Sequence, residues 1–254
     1  MPQSRVLPIP NSLNLRELGG YPTATGQRVR THRLLRSGAL SQLTPADAQA
    51  LWAYGVRTVV DLRSPSEVAL NPDVVAPGTA VHALPVYPFD APTSPVPPAA
   101  LAAMQDPRIT PMAATYLRML TDPHALAAFR TLFALLTQTR HALLFHCSAG
   151  KDRTGVAAMM VLGALGVPRA VIQTDYLLTN LVFGANRETL LAAVQDPTSP
   201  LVTALNAHAA ETQCELAVHA FITAEFGDWP TYVIQQQLLS VHALTQLRQQ
   251  LLES

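Results

Sequence analysis

Short apolar runs and helical patterns alternate along the first two thirds of the chain, and the remainder is patterned for helices. Residues 56–62 form a β-branched run typical of a strand in a parallel sheet, and residues 142–146 form a second apolar run. Weaker strand patterns cover residues 33–37 and 79–84. The alternation predicts a three-layer α/β fold: a central, mostly parallel sheet flanked by helices, with a helical C-terminal part.

Local chemistry marks several helix boundaries. Thr44-Pro45 combines an N-cap with a proline at the first helical position, which predicts a helix that runs to Tyr54 and stops at Gly55. Asp122-Pro123 predicts another start. Further helices are predicted over residues 110–120, after residue 155, and over 168–183, 186–194, 200–209, 211–226 and 231–252. Because no repeat or linker divides the chain, we expect one domain over residues 1–254, with a core at 13–183 and a helical part at 184–254.

The composition narrows the class of protein. Hydrophobic residues make up 49% of the 254 residues and charged residues 13%, so a large core is expected and disorder is not. The 17 basic and 17 acidic residues balance, which argues against a binder of nucleic acid. No secretory signal and no apolar run long enough to span a membrane is visible. Two cysteines exclude a disulfide scaffold, so we expect a cytoplasmic protein, with export by a route without a cleavable signal left open.

The chemistry of the chain is concentrated where the strand at 142–146 ends. There the sequence reads His146-Cys147-Ser148-Ala149-Gly150-Lys151-Asp152-Arg153-Thr154-Gly155, and an apolar helix follows. Backbone N–H groups in a loop that enters a helix converge on one point and suit an anion. Arg153 can add a planar fork matched to two phosphate oxygens. Cys147 lies in the same positive field, which favours a thiolate able to attack phosphorus.

The alternative interpretation is that Cys147 is a buried structural cysteine in front of an ordinary helix. That reading leaves the accompanying His146, Gly150, Arg153 and Thr154 unexplained, so the sequence favours an anion loop with a nucleophile. The second cysteine, Cys214, lies in a helical pattern and is expected in the core.

The loop resembles the signature of the cysteine-dependent protein tyrosine phosphatases. Its Ala-Gly-Lys-Asp-Arg-Thr form is similar to the bacterial branch that includes secreted phosphatases of mycobacteria and Listeria. Three other stretches carry the resemblance, which runs from about residue 12 to 180: residues 14–21 (Asn-Leu-Arg-Glu-Leu-Gly-Gly-Tyr), residues 61–67 (Asp-Leu-Arg-Ser-Pro-Ser-Glu) and, more weakly, residues 175–180 (Asp-Tyr-Leu-Leu-Thr-Asn).

The resemblance implies two-step hydrolysis of phosphomonoesters through a phosphocysteine, without a cofactor or metal. Cys147 would be the nucleophile and Arg153 would stabilise the transferred phosphoryl group. The expected phosphate-binding residues are Ser148, Ala149, Gly150, Lys151, Asp152, Arg153 and Thr154. His146 is expected to orient the loop, and the Thr154 hydroxyl to bond the departing thiolate. Arg16 would either face the phosphate or lie on the surface.

Three carboxylates are candidates for the general acid. Asp152 lies inside the loop and is the first choice, because the resembled branch carries an aspartate there and a bound phosphate would favour its protonated form. Asp90 resembles the acid-loop residue of phosphoinositide phosphatases, and Asp61 ends a strand beside Arg63. Asp90 also lies in segment 85–111, which holds eight of the 21 prolines and is either a lid over the site or a surface loop.

The substrate is less defined than the reaction. Proteins that carry phosphotyrosine are expected as substrates, with phosphoserine, phosphothreonine or phosphoinositides as further candidates. Lys151 points to phosphoinositides, unless it only holds the loop by pairing with an acid. Two other functions stay open: a rhodanese-type sulfurtransferase, whose loop lacks the His-Cys-x5-Arg-Thr frame, and an inactive phosphopeptide-binding module, which the intact Cys147 and Arg153 argue against.

Overall fold

A computed structural model of the protein describes residues 5–89, 109–193 and 210–254, and confirms the predicted α/β fold. The strands are β1 (Arg16–Glu17), β2 (Arg28–Val29), β3 (Leu34–Ser37), β4 (Val56–Asp61), β5 (Ala80–Ala83), β6 (Ala142–His146) and β7 (Leu252–Glu253). The helices are α1 (Pro45–Tyr54), α2 (Pro65–Leu70), α3 (Pro111–Met119), α4 (Pro123–Gln138), α5 (Asp152–Ala164), α6 (Arg169–Ala193), α7 (Thr212–Phe226), α8 (Trp229–Gln235) and α9 (Val241–Leu251).

The main sheet has the order β1-β3-β6-β4-β5. The pairs β3–β6, β6–β4 and β4–β5 are parallel, and only the edge pair β1–β3 in this described sheet is antiparallel. The register places Ser37, Asp61 and His146 side by side at the carboxyl ends of their strands. Ligand sites of open α/β sheets lie at this edge.

The two faces of the sheet pack into separate cores, as period-2 alternation requires. Leu34, Val60 and Phe145 belong to the larger core, whereas Leu35, Val59 and Leu144 belong to the smaller one. Helix α5 lies in the larger core against α3, α6 and α8, and residues 153–164 of this helix are all buried. An apolar helix that is buried on every side holds the loop in front of it rigidly.

Most predicted boundaries agree with the structure to within two residues, but three predictions in the C-terminal part were wrong. Helix α6 continues from Arg169 through the predicted break at 184–185, because an isolated glycine such as Gly184 costs a helix only about 1 kcal/mol. The predicted helix 231–252 is split into α8 and α9, with Ser240 capping the second. Residues 252–253 form β7, paired with β2. The predicted helix 200–209 lies outside the described residues.

Among the described residues, no helix combines the length and the hydropathy needed to cross a bilayer.

Candidate active site

The loop 147–151 connects the carboxyl end of β6 to the N-terminus of α5, as the sequence predicts. Helix α5 begins without a side-chain cap: Lys151 occupies the cap position and makes no capping hydrogen bond. The first N–H groups of a helix have no partner within it, and an anion is one of the groups that satisfy them. Other helices, such as α1 and α2, are capped by Thr44 and Ser64. The start of α5 is therefore suited to a ligand.

Donors behind the loop hold four successive backbone carbonyls. The Cys147 carbonyl lies 3.2 Å from Nδ1 of His146, and the Ser148 carbonyl accepts a hydrogen bond of 2.9 Å from a backbone N–H, that of Ala39. The carbonyls of residues 149 and 150 accept from the side chain of Asn14 at 3.2 and 3.0 Å. Since a peptide N–H points opposite to its carbonyl, fixing the carbonyls outward turns the N–H groups toward the centre of the loop.

Gly150 has a backbone conformation and a position that no other residue type would fit. Its φ is +67°, in the left-handed region, and a Cβ atom would lie 2.4 Å from the Ser37 carbonyl oxygen and 2.5 Å from the backbone N of Gly38. The glycine lets the loop approach the end of β3 closely.

A buried charge cluster anchors the scaffold behind the loop. Arg16 and Arg36 are both fully buried and both pair with Asp175, Arg16 at 3.0 Å. Arg36 Nη2 donates to the Gly150 carbonyl at 2.8 Å, and Arg16 donates to the amide oxygen of Asn14. Burial alone would raise the pKa of Asp175, but the two guanidinium groups outweigh it and lower that pKa to about 2.

Both predictions for Arg16 were therefore wrong. Arg16 is not a surface residue, because its side chain is fully buried. Its described hydrogen bonds go to Asp175, Asn14 and Thr179, so it supports the loop from behind. Two arginines and one aspartate leave this cluster with one net positive charge beneath the anion loop.

Cys147 and Arg153, the two residues that define the loop spacing, are both buried. Cys147 is 2% exposed and Arg153 is 8% exposed. The Arg153 guanidinium forms a bidentate pair with Glu67, with Nη1–Oε2 at 2.6 Å and Nη2–Oε1 at 2.8 Å. The Ser148 hydroxyl donates to the same carboxylate. Hydrogen bonds from Arg153 hold the pKa of Glu67 well below its usual range, so the pair stays ionised.

Asp61 is held in a second ion-pair cluster beside the loop. It forms three side-chain hydrogen bonds with Arg63, and Arg63 also contacts Asp73 at 2.8 Å. His146 Nε2 lies 3.0 Å from Asp73 as well, so the ring bridges this cluster and the Cys147 carbonyl. Asp61, Asp73 and His146 are close enough to share a cation, and the guanidinium of Arg63 supplies that charge. This geometry favours a structural role for Asp61 and His146.

Asp152 is the candidate acid that the structure leaves accessible. Its side chain is 25% exposed, against 3% for Asp61, and its Oδ1 accepts a hydrogen bond of 2.8 Å from Tyr116. Lys151 Nζ lies 3.5 Å from the same oxygen and is almost fully buried, which fits the view that Lys151 holds the loop by pairing with an acid. The Thr154 hydroxyl is buried with no hydrogen-bond partner in the described part of the chain. Asp90 and residues 90–108 of the predicted lid lie outside it.

The roles of Glu67 and Asn14 at the loop were not predicted from the sequence. Both lie in stretches that carry the family resemblance, but each residue also has a local structural role that accounts for it without any contact to the loop. Glu67 completes a capping box with Ser64 three residues before it, and Asn14 adopts a left-handed conformation common for asparagine. The described structure adds the contacts across more than 80 residues of sequence that tie each of them to the loop.

Comparison with known proteins agrees with this geometry. The model of one protein family, described as the tyrosine phosphatase family, matches residues 7–253. A protein of Cupriavidus necator named as a candidate tyrosine-protein phosphatase is 38% identical over 186 residues, which are 70% of this chain and 64% of the relative. The triple specificity protein phosphatase PtpB of Mycobacterium tuberculosis is 34% identical over 68% of each chain. A tyrosine-protein phosphatase of Nostoc commune is 30% identical over 62% of this chain and 52% of that protein.

Proposed function

Because this chain belongs to the tyrosine phosphatase family, we propose that it is a cysteine-dependent phosphatase that hydrolyses phosphotyrosine in proteins through a phosphocysteine intermediate. The observation that carries the proposal is the row of four loop carbonyls held from behind, from Cys147 to Gly150. This arrangement prepares an anion site before substrate arrives, and preorganised donors are the main source of electrostatic stabilisation in a transition state.

In the first step, the Cys147 thiolate attacks phosphorus and an S–P bond replaces the bond to the leaving oxygen. Asp152 gives its proton to that oxygen, so tyrosine leaves as the neutral phenol. In the second step, water attacks phosphorus, Asp152 takes up a proton from the water, and the S–P bond breaks to release phosphate and the thiolate. The Thr154 hydroxyl, buried without a partner in the described residues, can donate to that departing sulfur.

Glu67 gives Arg153 a fixed orientation for this chemistry. The two contacts with Glu67 use Nη1 and Nη2, so the Nε–H is not engaged by the carboxylate. One edge of the guanidinium can then serve the equatorial oxygens of the phosphoryl group while another is held by Glu67. Tyr87 packs with its ring centroid 4.8 Å from Cζ of Arg153 and limits the movement of the arginine further.

We also propose that the enzyme accepts substrates other than phosphotyrosine. The M. tuberculosis relative is named for triple specificity, and we infer that this chain also accepts phosphoserine, phosphothreonine or phosphoinositides. Lys151 is a weak argument for inositol lipids, because its ammonium group is buried against Asp152. Initial rates on matched phosphotyrosine and phosphoserine peptides and on a soluble phosphoinositide would rank these substrates. We expect phosphotyrosine to be preferred and the protein to act in the cytoplasm, where a free thiol persists.

Segment 85–111 is proposed as a cover for the site. Its first residues lie in the right place, since Tyr87 stacks on Arg153 and Phe89 packs edge-on against Tyr87. Deleting residues 93–107 is expected to change KM for bulky phosphopeptides more than KM for p-nitrophenyl phosphate. Equal changes would reduce the segment to a surface loop.

The nucleophile can be tested directly. Cys147→Ser is expected to lose turnover of p-nitrophenyl phosphate and keep binding of inorganic phosphate, because a serine hydroxyl stays protonated at neutral pH. Arg153→Lys is expected to be severely impaired, since a point charge replaces the fork. Cys214→Ser is the matched control, as the other cysteine is buried in the core. Substantial turnover by Cys147→Ser would overturn the covalent mechanism. Sulfur transfer from thiosulfate is expected to be absent, and its detection would favour a rhodanese-type activity.

A further inference from the structure

A line of buried hydroxyl groups leads from Asp152 into the protein interior. Asp152 Oδ1 accepts a hydrogen bond from the Tyr116 hydroxyl at 2.8 Å, and this hydroxyl lies 3.0 Å from that of Tyr176. Asp152 lies on α5, Tyr116 on α3 and Tyr176 on α6, so the line joins three helices.

We propose that Tyr116, held by Tyr176, is a positioning residue that fixes the carboxyl group of Asp152 so that Oδ2 carries the transferable proton. The proposal rests on the role of Asp152 in the proposed function. Tyr116 and Lys151 both contact Oδ1. A carboxylic acid protonates at the oxygen that is not already accepting hydrogen bonds, which leaves Oδ2 for the proton.

The hydroxyl groups of Tyr116 and Tyr176 are buried, and a buried hydroxyl group lowers stability unless it has a hydrogen-bond partner. Their presence at these positions therefore indicates a functional or structural role. Tyr116 is 0% exposed and Tyr176 is 1% exposed. A phenylalanine would fill either site without a polar group to satisfy, whereas a buried hydroxyl that loses its partner is penalised. The ring of Tyr176 packs against α5 at Gly155. A Cβ atom placed on this glycine would lie only 3.3 Å from the ring. Gly155 is one turn beyond Asp152, so Tyr176 holds Tyr116 at a fixed place relative to the acid.

The hydroxyl pair can serve both steps of the reaction. When Asp152 is ionised, Tyr116 donates to Oδ1, and Tyr176 can donate to Tyr116. Because Tyr116 has a single hydroxyl hydrogen and donates it to Oδ1, Tyr176 is the donor within the pair, and this arrangement is the same whether or not Oδ2 carries the proton. The proton that moves in catalysis stays on the Oδ2 side and does not travel along the tyrosines.

Burial keeps four ionisable groups around Asp152 from titrating near neutral pH. Burial raises the pKa of Cys214 to about 12 and also raises the pKa values of Tyr87, Tyr116 and Tyr176. Lys151 Nζ lies 3.5 Å from Oδ1. The more distant Arg153–Glu67 pair stays ionised, as described above. A change in the alkaline limb of the pH profile would therefore report on the acid itself.

The test is the pH dependence of kcat/KM for Tyr116→Phe, measured with phenyl phosphate and with p-nitrophenyl phosphate. Loss of the donor to Oδ1 destabilises the ionised carboxylate, so the alkaline limb is expected to move up by about one pH unit. The rate with phenyl phosphate, which has the poorer leaving group, is expected to fall about tenfold and more than the rate with p-nitrophenyl phosphate. Tyr176→Phe is expected to give a smaller change in the same direction.

Tyr232→Phe is the matched control. Its hydroxyl is equally buried and donates to the Leu120 carbonyl at 2.9 Å, without contact to Asp152. It is expected to lose stability and keep the wild-type pH profile. An unchanged alkaline limb in Tyr116→Phe would overturn the proposal, whatever its stability.

Asp152→Asn separates the two levels of the argument. If it loses the alkaline limb while Tyr116→Phe leaves that limb in place, the acid assignment stands and the positioning role is wrong. If Asp152→Asn keeps the limb, the acid assignment is wrong and the positioning proposal falls with it, while the nucleophilic role of Cys147 is unaffected. The double variant Tyr116→Phe/Asp152→Asn is expected to have the same pH profile as Asp152→Asn alone. A different profile would show that Tyr116 acts through another group, which also contradicts the proposal.

Discussion

Asn14 offers a sharp test of the idea that the anion site is preformed. Its amide nitrogen donates to the carbonyls of Ala149 and Gly150 at 3.2 and 3.0 Å, while its amide oxygen accepts from Arg16. Asn14→Asp keeps the shape and the contact with Arg16. It replaces the donor with an oxygen that faces two carbonyl oxygens, so the effect is confined to the side that touches the loop.

The magnitude follows from the two hydrogen bonds. Each contributes about 1 kcal/mol net, and a buried carbonyl left without a donor costs about 1–3 kcal/mol. The Gly150 carbonyl keeps its bond from Arg36, so the larger cost applies only to the half-buried carbonyl of Ala149. We expect the free energy of unfolding to fall by about 2–4 kcal/mol. If half of this loss destabilises the loop conformation that binds phosphate, the affinity for phosphate falls about tenfold, since 1.4 kcal/mol corresponds to a factor of ten in the dissociation constant.

The assay is urea unfolding together with competitive inhibition of p-nitrophenyl phosphate hydrolysis by inorganic phosphate. Asn14→Gly is the matched control, because it removes the same donors without adding a charge and tolerates the φ of +54° at this position. Both variants are expected to bind phosphate about tenfold more weakly, the aspartate more so. If both lose stability and keep the wild-type inhibition constant, the loop does not depend on its carbonyl donors and the argument for preorganisation is wrong.

Three further outcomes are expected. Glu67→Gln is expected to lower kcat about tenfold with little change in KM, because a neutral amide holds Arg153 less firmly in the transition state; a rise in KM alone would assign Glu67 to substrate binding. Asp175→Asn is expected to cost about 3–5 kcal/mol at pH 7, since two buried arginines lose their counter-charge. The pKa of Asp175 in the folded protein is lowered to about 2, so its contribution to the free energy of unfolding is complete above roughly pH 4 and is lost as the pH falls toward 2. Urea unfolding should therefore show the difference in stability between variant and wild type closing over that range. A constant difference would contradict the charge argument. Asp61→Asn is expected to lose stability and keep the alkaline limb of the pH profile; loss of that limb would make Asp61 the acid.

The sequence predicts the parts of this molecule that are written locally. The N-cap and first-turn proline of α1, the β-branched run of β4 and the loop between β6 and α5 are all found where the pattern places them. The strand pair β2–β7 escapes prediction because two residues are too short to show any periodicity.

The contacts behind the site escaped prediction for a different reason. No spacing in the sequence announces that Glu67 will meet Arg153, 86 residues away, or that Arg16 will meet Asp175 across 159 residues. The family resemblance marked the stretches that contain these residues, but it did not show which contacts they make.

The position of Asp175 in the chain also has a consequence for biosynthesis. Cys147 and Arg153 are translated before residue 175, but the arginines that hold the loop from behind depend on this later aspartate. Contacts between residues so far apart form late, because the intervening chain must first be brought together. A ribosome-bound chain that already carries Cys147 and Arg153 therefore lacks the support of its proposed anion site. We expect the nascent enzyme to be silent until α6 has left the ribosome and docked against β1 and β3.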